Sequence, residues 1–579
     1  MSTDSSQLIE CSAALGALAL AFYVVPYLLD PHEYRHRFPG PPLARFTNWW
    51  MSSLARTGRH SEIVQQLHEK YGTFLQTSPL GTFVRLGPNH ISIADPDALE
   101  AIYGHGSGLL KSEFYRVFQN GPNTNVFNTT DKSEHSRKRK RLANIFSPQN
   151  ILAFEPRVRS HILQLCAQWD WRCNEAAGGA SGFNWNVRNG QAVIDVCAQI
   201  SYLAFDIIGD LALGSPFGLI QAQRDSSLAI ESVDASGESQ RGTKDSSLAI
   251  ESVDASGESQ RGTVEISVVK TIAGGGDMVM AVGVFPSWTH KFLQFLPWNI
   301  LGLFDVLKFA GLTAQAVDAR VKRGPRKNLE NSKQSIDLID KLLQVKSADG
   351  NPLSINELYS EASALLIAGS DTTSNTMSSL CYHLAIHPEF QQKLQAELDQ
   401  HVPYDSSVET GNKEGLVTPP YDAVAQYDDI KNLPYLNACV KEALRIHSTV
   451  GTGLPRVVPP GKTATVSGQT FKAGSVISVP SYTTNRSSVW GNDAEEFRPE
   501  RWMDDHAGSF NKYFVPFSLG PRACIGRNLA YMELMLIAAT LFRRYKFEAL
   551  PTTKMVIHEA FVRETAHCEI GIKRRDAPR

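Results

Sequence analysis

No two of the eight cysteines, at positions 11, 166, 173, 197, 381, 439, 524 and 568, form a Cys-x-x-Cys pair. Neither a zinc module nor a disulfide framework is indicated, and the bulk of the chain suits a reducing compartment. Charge of one sign is also lacking: a net −2 over 579 residues gives no basic footprint for nucleic acid. From Cys11 to Leu29 charge is absent altogether. These 19 positions would reach ~28 Å as a helix, about one hydrocarbon thickness, and predict a membrane anchor over residues 1–30. A cleaved signal peptide is the alternative, but the residues ahead contain Asp4 and no Lys or Arg, unlike the basic start of such peptides. Arg35, Arg37 and Arg45 follow the run. The positive-inside rule then expects a luminal N-terminus and a cytosolic body, with the endoplasmic reticulum as the membrane.

Hydrophobic residues make up 42% of the chain, enough for a substantial core. A proline-rich hinge is expected over 31–50, because Phe38-Pro39-Gly40-Pro41-Pro42 cannot continue a helix. Thr82–Leu86 and Ile91–Ala94 flank Gly87-Pro88-Asn89-His90 and read as a β-hairpin, after which Asp95-Pro96-Asp97 starts a helix. Residues 104–131 show no sustained period and suggest a long functional loop. A basic cluster, His135-Ser-Arg-Lys-Arg139-Lys-Arg, comes next; a solvated helix face is the ordinary fate of such runs. A helical stretch is expected to end at Gly214. Arg224–Thr243 and Lys244–Thr263 then form a tandem 20-residue repeat that differs only in its first residue. It reads as a recent in-frame duplication, or an artefact of gene assembly, within a surface excursion over 224–263.

Ser354-x-x-Glu357 is a capping box opening a helix that lasts to His387-Pro388. Inside it lies Ala368-Gly369-Ser370-Asp371-Thr372-Thr373, polar residues and a glycine that costs about 1 kcal/mol in a helix and requires compensation. Glu442-Ala-Leu-Arg445 puts opposite charges on one helix face. The run Phe517-Ser-Leu-Gly520-Pro-Arg522-Ala-Cys524-Ile-Gly526 presents one cysteine at the mouth of an apolar helix expected to reach about Tyr545. There the helix dipole and backbone N–H groups favour a thiolate, and Arg522 adds a cation. An inert buried thiol is the bland reading of a single cysteine.

Phe517-x-x-Gly520-x-Arg522-x-Cys524-x-Gly526 resembles the haem-binding loop of cytochromes P-450, the haem-thiolate monooxygenases. The resemblance implies that Cys524 is the axial iron ligand of a haem b and that Phe517 packs near it. Gly520 and Gly526 would let the backbone turn beneath the porphyrin, and Arg522 would meet a propionate. His135 and Arg139 stand where the family has Trp-x-x-x-Arg, with His135 the departure; Arg456, in Leu454-Pro455-Arg456, falls at a further propionate position. The 368–373 segment is similar to the oxygen-activation motif, whose glycine opens a groove over the iron while Asp371 and Thr372 organise proton delivery. Glu442 and Arg445, with Arg501 of Phe497-Arg-Pro499-Glu-Arg501-Trp502, resemble the family's buried structural charge cluster.

The implied architecture is a mainly α P-450 fold with a small β region, occupying 51–579 and preceded by the N-terminal transmembrane helix. Asn89–Leu99, Glu134–Lys140 and Ile367–Asn375 resemble fungal benzoate 4-monooxygenase-like members. The implied reaction inserts one atom of O₂ into an apolar or aromatic small molecule, such as benzoate, another aromatic acid or a fungal secondary metabolite. Only 55 residues follow Cys524, too few for a flavin domain, so NADPH electrons are expected through a separate membrane-bound cytochrome P-450 reductase. Arg139 and its basic neighbours would help to dock it. A haem-thiolate isomerase or dehydratase that uses no O₂, and a haem-binding protein without catalysis, are the other readings; members of the former kind tend to lack the acid-alcohol pair present here.

Overall fold

The computed structural model describes residues 30, 32–73, 82–119, 121–225, 227–233, 239–243, 262–324, 337–345, 352–402, 424–505 and 507–575, with residues 10, 12–14 and 16–18 ahead of them. Most of the expected anchor, and 244–261 of the second repeat, therefore lie outside the described residues. The longer helices are α1 (His60–Thr73), α2 (Lys132–Ile145), α3 (Glu155–Ala177), α4 (Val196–Leu213), α5 (Val268–Gly283), α6 (Ile300–Lys322), α7 (Ile355–Ile386), α8 (Pro388–His401), α9 (Pro434–His447) and α10 (Arg527–Arg544).

Local chemistry sets the ends of the central elements. The Ser354 hydroxyl accepts from the Glu357 N–H at 3.3 Å and caps α7, and Pro388, the first residue of α8, follows its end. Asp195 caps α4 by accepting from the Cys197 N–H at 3.1 Å, and Gly214 closes it with φ 72°. α4 and α7 pack together with α3, α9 and α10 around one core, to which Leu203, Ile207, Met377, Leu380, Val440 and Leu536 contribute.

The β structure is not one region but short strands in several small sheets. β1 (Phe83–Arg85), β2 (His90–Ile93), β3 (Leu110–Lys111), β4 (Arg456–Val457) and β5 (Val476–Ser478) form a five-stranded sheet of order β1-β2-β5-β4-β3. The expected hairpin is its β1–β2 pair, in register Phe83 to Ile93. The 104–131 stretch, read as loop, contributes β3 and a 3₁₀ turn over Glu113–Phe118. Lys111 is brought directly opposite Arg456. A hairpin of β6 (Val556–Glu559) and β7 (Arg563–His567) reaches α7, where the Asn375 side-chain oxygen Oδ1 accepts from the Thr565 N–H at 2.7 Å and its hydroxyl at 2.9 Å. Within the repeat, Ser227–Val233 pairs with Ser239–Thr243 on one edge and Gly262–Ile266 on the other, Ile230 facing Gly242 and Thr263. One strand thus takes the ends of both copies.

Candidate active site

The cysteine loop is closed on itself by the Cys524 N–H, which donates to the Phe517 carbonyl at 2.8 Å. Gly520 has φ +65°, and a Cβ there would sit 2.3 Å from the Tyr103 carbonyl oxygen, so the turn and the close approach both require glycine. Gly526 has an ordinary φ of −82°; it adjoins the sulfur, 3.9 Å from where its Cβ would lie. The Phe517 ring rests on Tyr531 of α10, centroids 5.1 Å apart.

Cys524 is open to solvent, yet protein crowds it enough that burial raises its thiol above the usual range. The N–H groups of Gly526 and Arg527, with the cations Arg139 and Arg527, act in the opposite direction. The helix-mouth N–H groups thus favour the thiolate as expected, while burial outweighs them. Arg522, two residues before Cys524, has its guanidinium bound to backbone. Its guanidinium donates to the carbonyls of Thr129 (2.8 Å) and Asp131 (3.2 Å), joining the loop to the start of α2.

Arg139 reaches the cysteine loop from α2, donating to the Ala523 carbonyl at 2.6 Å. Its neighbours divide by helix face. Lys138 is buried and pairs with Glu357 at 3.5 Å and Glu361 at 3.6 Å on α7, and Arg141 pairs with Glu357 at 3.6 Å. Lys132, Arg137 and Lys140 remain exposed. Arg139 itself turns inward, to the cysteine loop.

His135, Arg456 and Arg522 come together, and with them stands Lys111, which the sequence did not reveal. Arg456 is buried and donates to the Tyr115 hydroxyl at 3.1 Å. Burial, then Arg522, Lys111, Arg139 and Arg456, hold the His135 imidazole down at about 3, so it is neutral. Among the described residues no carboxylate pairs with Lys111, Arg139, Arg456 or Arg522; Asp131 only acts on Arg522 from a distance. Such a set can hold a rigid dianion beside a cysteine, which is the demand a haem with two propionates makes.

Asp371 and Thr372 lie mid-way along α7, which runs unbroken through its polar segment. The hydroxyls of Ser370 and Thr372 donate to the carbonyls of Leu366 and Ala368, both at 2.8 Å, so these two are satisfied within their own helix. A Cβ on Gly369 would lie 2.6 Å from Cδ1 of Ile208, so α4 fills the space on that side. Close packing against α4 is the compensation the glycine required. Ala368 is nevertheless exposed within this central helix. Burial and the nearby Glu564 push the Asp371 carboxyl up to about 7. Behind the pair, the Thr373 hydroxyl donates to Glu533 of α10 at 3.3 Å, and burial holds Glu533 protonated, at about 8. Glu533 was passed over in sequence, although a lone acid in the run Leu529–Leu541 was the available signal.

Glu442, Arg445 and Arg501 are wholly buried. Arg445 grips Glu442 with two donors, at 2.9 and 2.7 Å, and Arg501 adds a third at 3.2 Å.

The chain matches the family profile described as Cytochrome P450 over residues 39–238 and 277–567. The chain belongs to the cytochrome P450 family. The gap in the match contains the second repeat. This P450 is 36% identical over 97% of both chains to benzoate 4-monooxygenase of Aspergillus niger. It is 26% identical to pisatin demethylase of Fusarium vanettenii, over 88% of this chain and 85% of that one. A crystal structure of a cytochrome P450 superposes with TM-score 0.61 at 19% identity, covering 84% and 92% of the two chains, which reflects fold alone. The P450 is a monooxygenase whose cofactor is haem with an axial cysteine thiolate.

Proposed function

We propose that Cys524 is the thiolate ligand, that Arg139, Arg456 and Arg522 receive the propionates beside neutral His135, and that the substrate is a small aromatic molecule, an aromatic acid first. The observation that carries the site is the group of cations without carboxylate partners beside the cysteine loop, Arg456 buried and Arg139 and Arg522 half-buried. Supporting the aromatic substrate, Phe118 packs against Phe561, Phe127 and Phe114 at centroid separations of 5.1, 5.2 and 5.6 Å. The benzoate-hydroxylating relative supports the same class. A Soret-shift titration comparing benzoate with neutral aromatic and terpene ligands tests it; response only to the neutral terpenes would refute the aromatic reading.

Once bound, the haem supplies the oxygen-activating chemistry. Asp371 holds a proton near neutrality, one residue from the Thr372 hydroxyl, and the two deliver protons to the oxygen-binding face. Thr372→Ala keeps the helix and is expected to leave NADPH consumption and substrate affinity near normal while product gives way to hydrogen peroxide. Asp371→Asn is expected to slow NADPH consumption itself. Because the acid form is the donor and its folded value is about 7, turnover should be level below that pH and fall above it. The Asn variant should lack that limb; a pH profile checks the sign.

Electrons would come from NADPH through a separate reductase, docked over exposed Lys132, Arg137 and Lys140. The body would lie on a membrane beside the anchor, in the endoplasmic reticulum with its catalytic part cytosolic. Between α5 and α6, Trp288, Phe292, Phe295 and Trp298 are exposed, the last 58%. Trp49, soon after the proline run, is itself half exposed and rests on Phe285 at 4.8 Å, which supports the same reading. Protein lacking residues 1–30 should still sediment with liposomes. Replacing Phe292, Phe295 and Trp298 by Ser should release it; sedimentation unchanged by those replacements would discard the membrane face.

A further inference from the structure

We propose that Glu564 relays protons to Asp371 from the surface pair formed by His558 and Asp277. His558 on β6 and Glu564 on β7 are direct partners in the hairpin register, so their side chains leave the same face. At the outer end, His558 Nε2 lies 2.9 and 3.0 Å from the two carboxylate oxygens of Asp277 on α5. The His558 and Asp277 side chains are 39% and 37% exposed, within reach of solvent. At the inner end, Asn375 fastens the hairpin to α7. Its Oδ1 holds Thr565, the residue after Glu564, and its Nδ2 donates to the Asp371 carbonyl at 2.6 Å. The strand carrying Glu564 is thus tied to the helix at the turn that carries Asp371.

Neither acid is committed to the fold. Among the described residues nothing donates to the Glu564 carboxyl, and Asp371 has only the Ser370 hydroxyl, at 3.5 Å. Both keep part of their surface open. Half-buried acids with neither cation nor donor do little for stability, whereas groups that exchange protons gain from such freedom. Burial raises Glu564, with Asp277 and Asp225 adding to it and His558 opposing; burial and Glu564 raise Asp371. The hydrogen bond to Asp277 raises His558, with Glu564 and Glu559 acting in the same direction against burial. In the relay, Asp371 that has given up its proton takes one from the Glu564 acid across bridging water. Glu564 is recharged by the His558 imidazolium, and the imidazole left behind takes a proton from solvent. One proton enters for each one spent, and no electron moves. The inference rests on Asp371 being the proton donor.

The test measures NADPH consumption by holoprotein with reductase, both with benzoate and without added substrate. Glu564→Gln should slow it about tenfold near neutral pH, and Glu564→Asp should recover most of the loss. The Asp371→Asn, Glu564→Gln double variant should be no slower than Asp371→Asn alone, as groups in series require. His558→Gln should also slow consumption, and added phosphate at constant ionic strength should restore it by protonating Glu564 from solvent. A readout apart from turnover is the infrared carboxyl band of Asp371 in the resting protein, identified by its loss in Asp371→Asn. In Glu564→Gln it should titrate at lower pH, because a negative neighbour is gone. An unmoved band, or wild-type NADPH consumption in Glu564→Gln while Asp371→Asn is slowed, would overturn the relay and leave Asp371 as donor. Wild-type consumption in Asp371→Asn would instead remove the donor reading, and the relay with it.

Discussion

Cys524→Ser is expected to abolish the red-shifted Soret band of the ferrous carbon monoxide complex and, with it, turnover. A neutral hydroxyl is a poor axial donor where an anionic sulfur is needed. The loop should survive the change. Its closing hydrogen bond uses the Cys524 backbone N–H and the Phe517 carbonyl, Gly520 keeps its left-handed turn, and the exposed position lets a serine hydroxyl find water. Secondary structure by circular dichroism should therefore match wild type while the spectrum does not. A variant that keeps the band would remove Cys524 from the iron and with it the central assignment.

Glu442→Ala is expected to yield no stable holoprotein. Besides the two arginines, Glu442 accepts from the Arg498 N–H and the Trp502 indole N–H, both at 2.9 Å. The arginines spend their other donors on backbone: Arg445 on the carbonyls of Asn485, Ala494 and Glu496 at 2.6, 2.7 and 2.8 Å, Arg501 on that of Asp493 at 2.9 Å. Arg501 also meets the Asp493 carboxylate at 2.9 Å. Deleting the one wholly buried acid leaves two buried guanidiniums short of charge, at a cost of roughly 3–5 kcal/mol, a large share of the ~5–15 kcal/mol that holds a domain together. Thermal melts and haem content per protein read the effect. A melting temperature within error of wild type would show the cluster to be dispensable.

Sequence and structure agreed where the deciding interaction is local. The Ser354 cap, the Gly214 stop, the hairpin from Phe83 to Ile93 and the helix after Gly526 each depend on residues a few positions apart, whose propensities act before the chain has packed. Glu442 and Arg445 belong to the same class, being one helical turn apart, although the third member, Arg501, arrives from a distant segment. Gly369 marks the boundary: its helical cost is visible in sequence, but its packing partner, Ile208, lies on another helix.

The residue types and spacing of the cysteine loop, the Asp371–Thr372 pair and the charge cluster by themselves determined the family and the kind of chemistry. Tertiary structure alone decided which charges face one another. It turned Arg139 towards Ala523 and Lys138 towards α7, joined Arg522 to the carbonyls before α2, set Lys111 opposite Arg456, and placed Glu533 behind Thr373. It also set burial against the helix mouth at Cys524. The physical reason is that burial and Coulomb interaction depend on separation in space and on excluded water, and neither can be read from a chain until its distant segments have met.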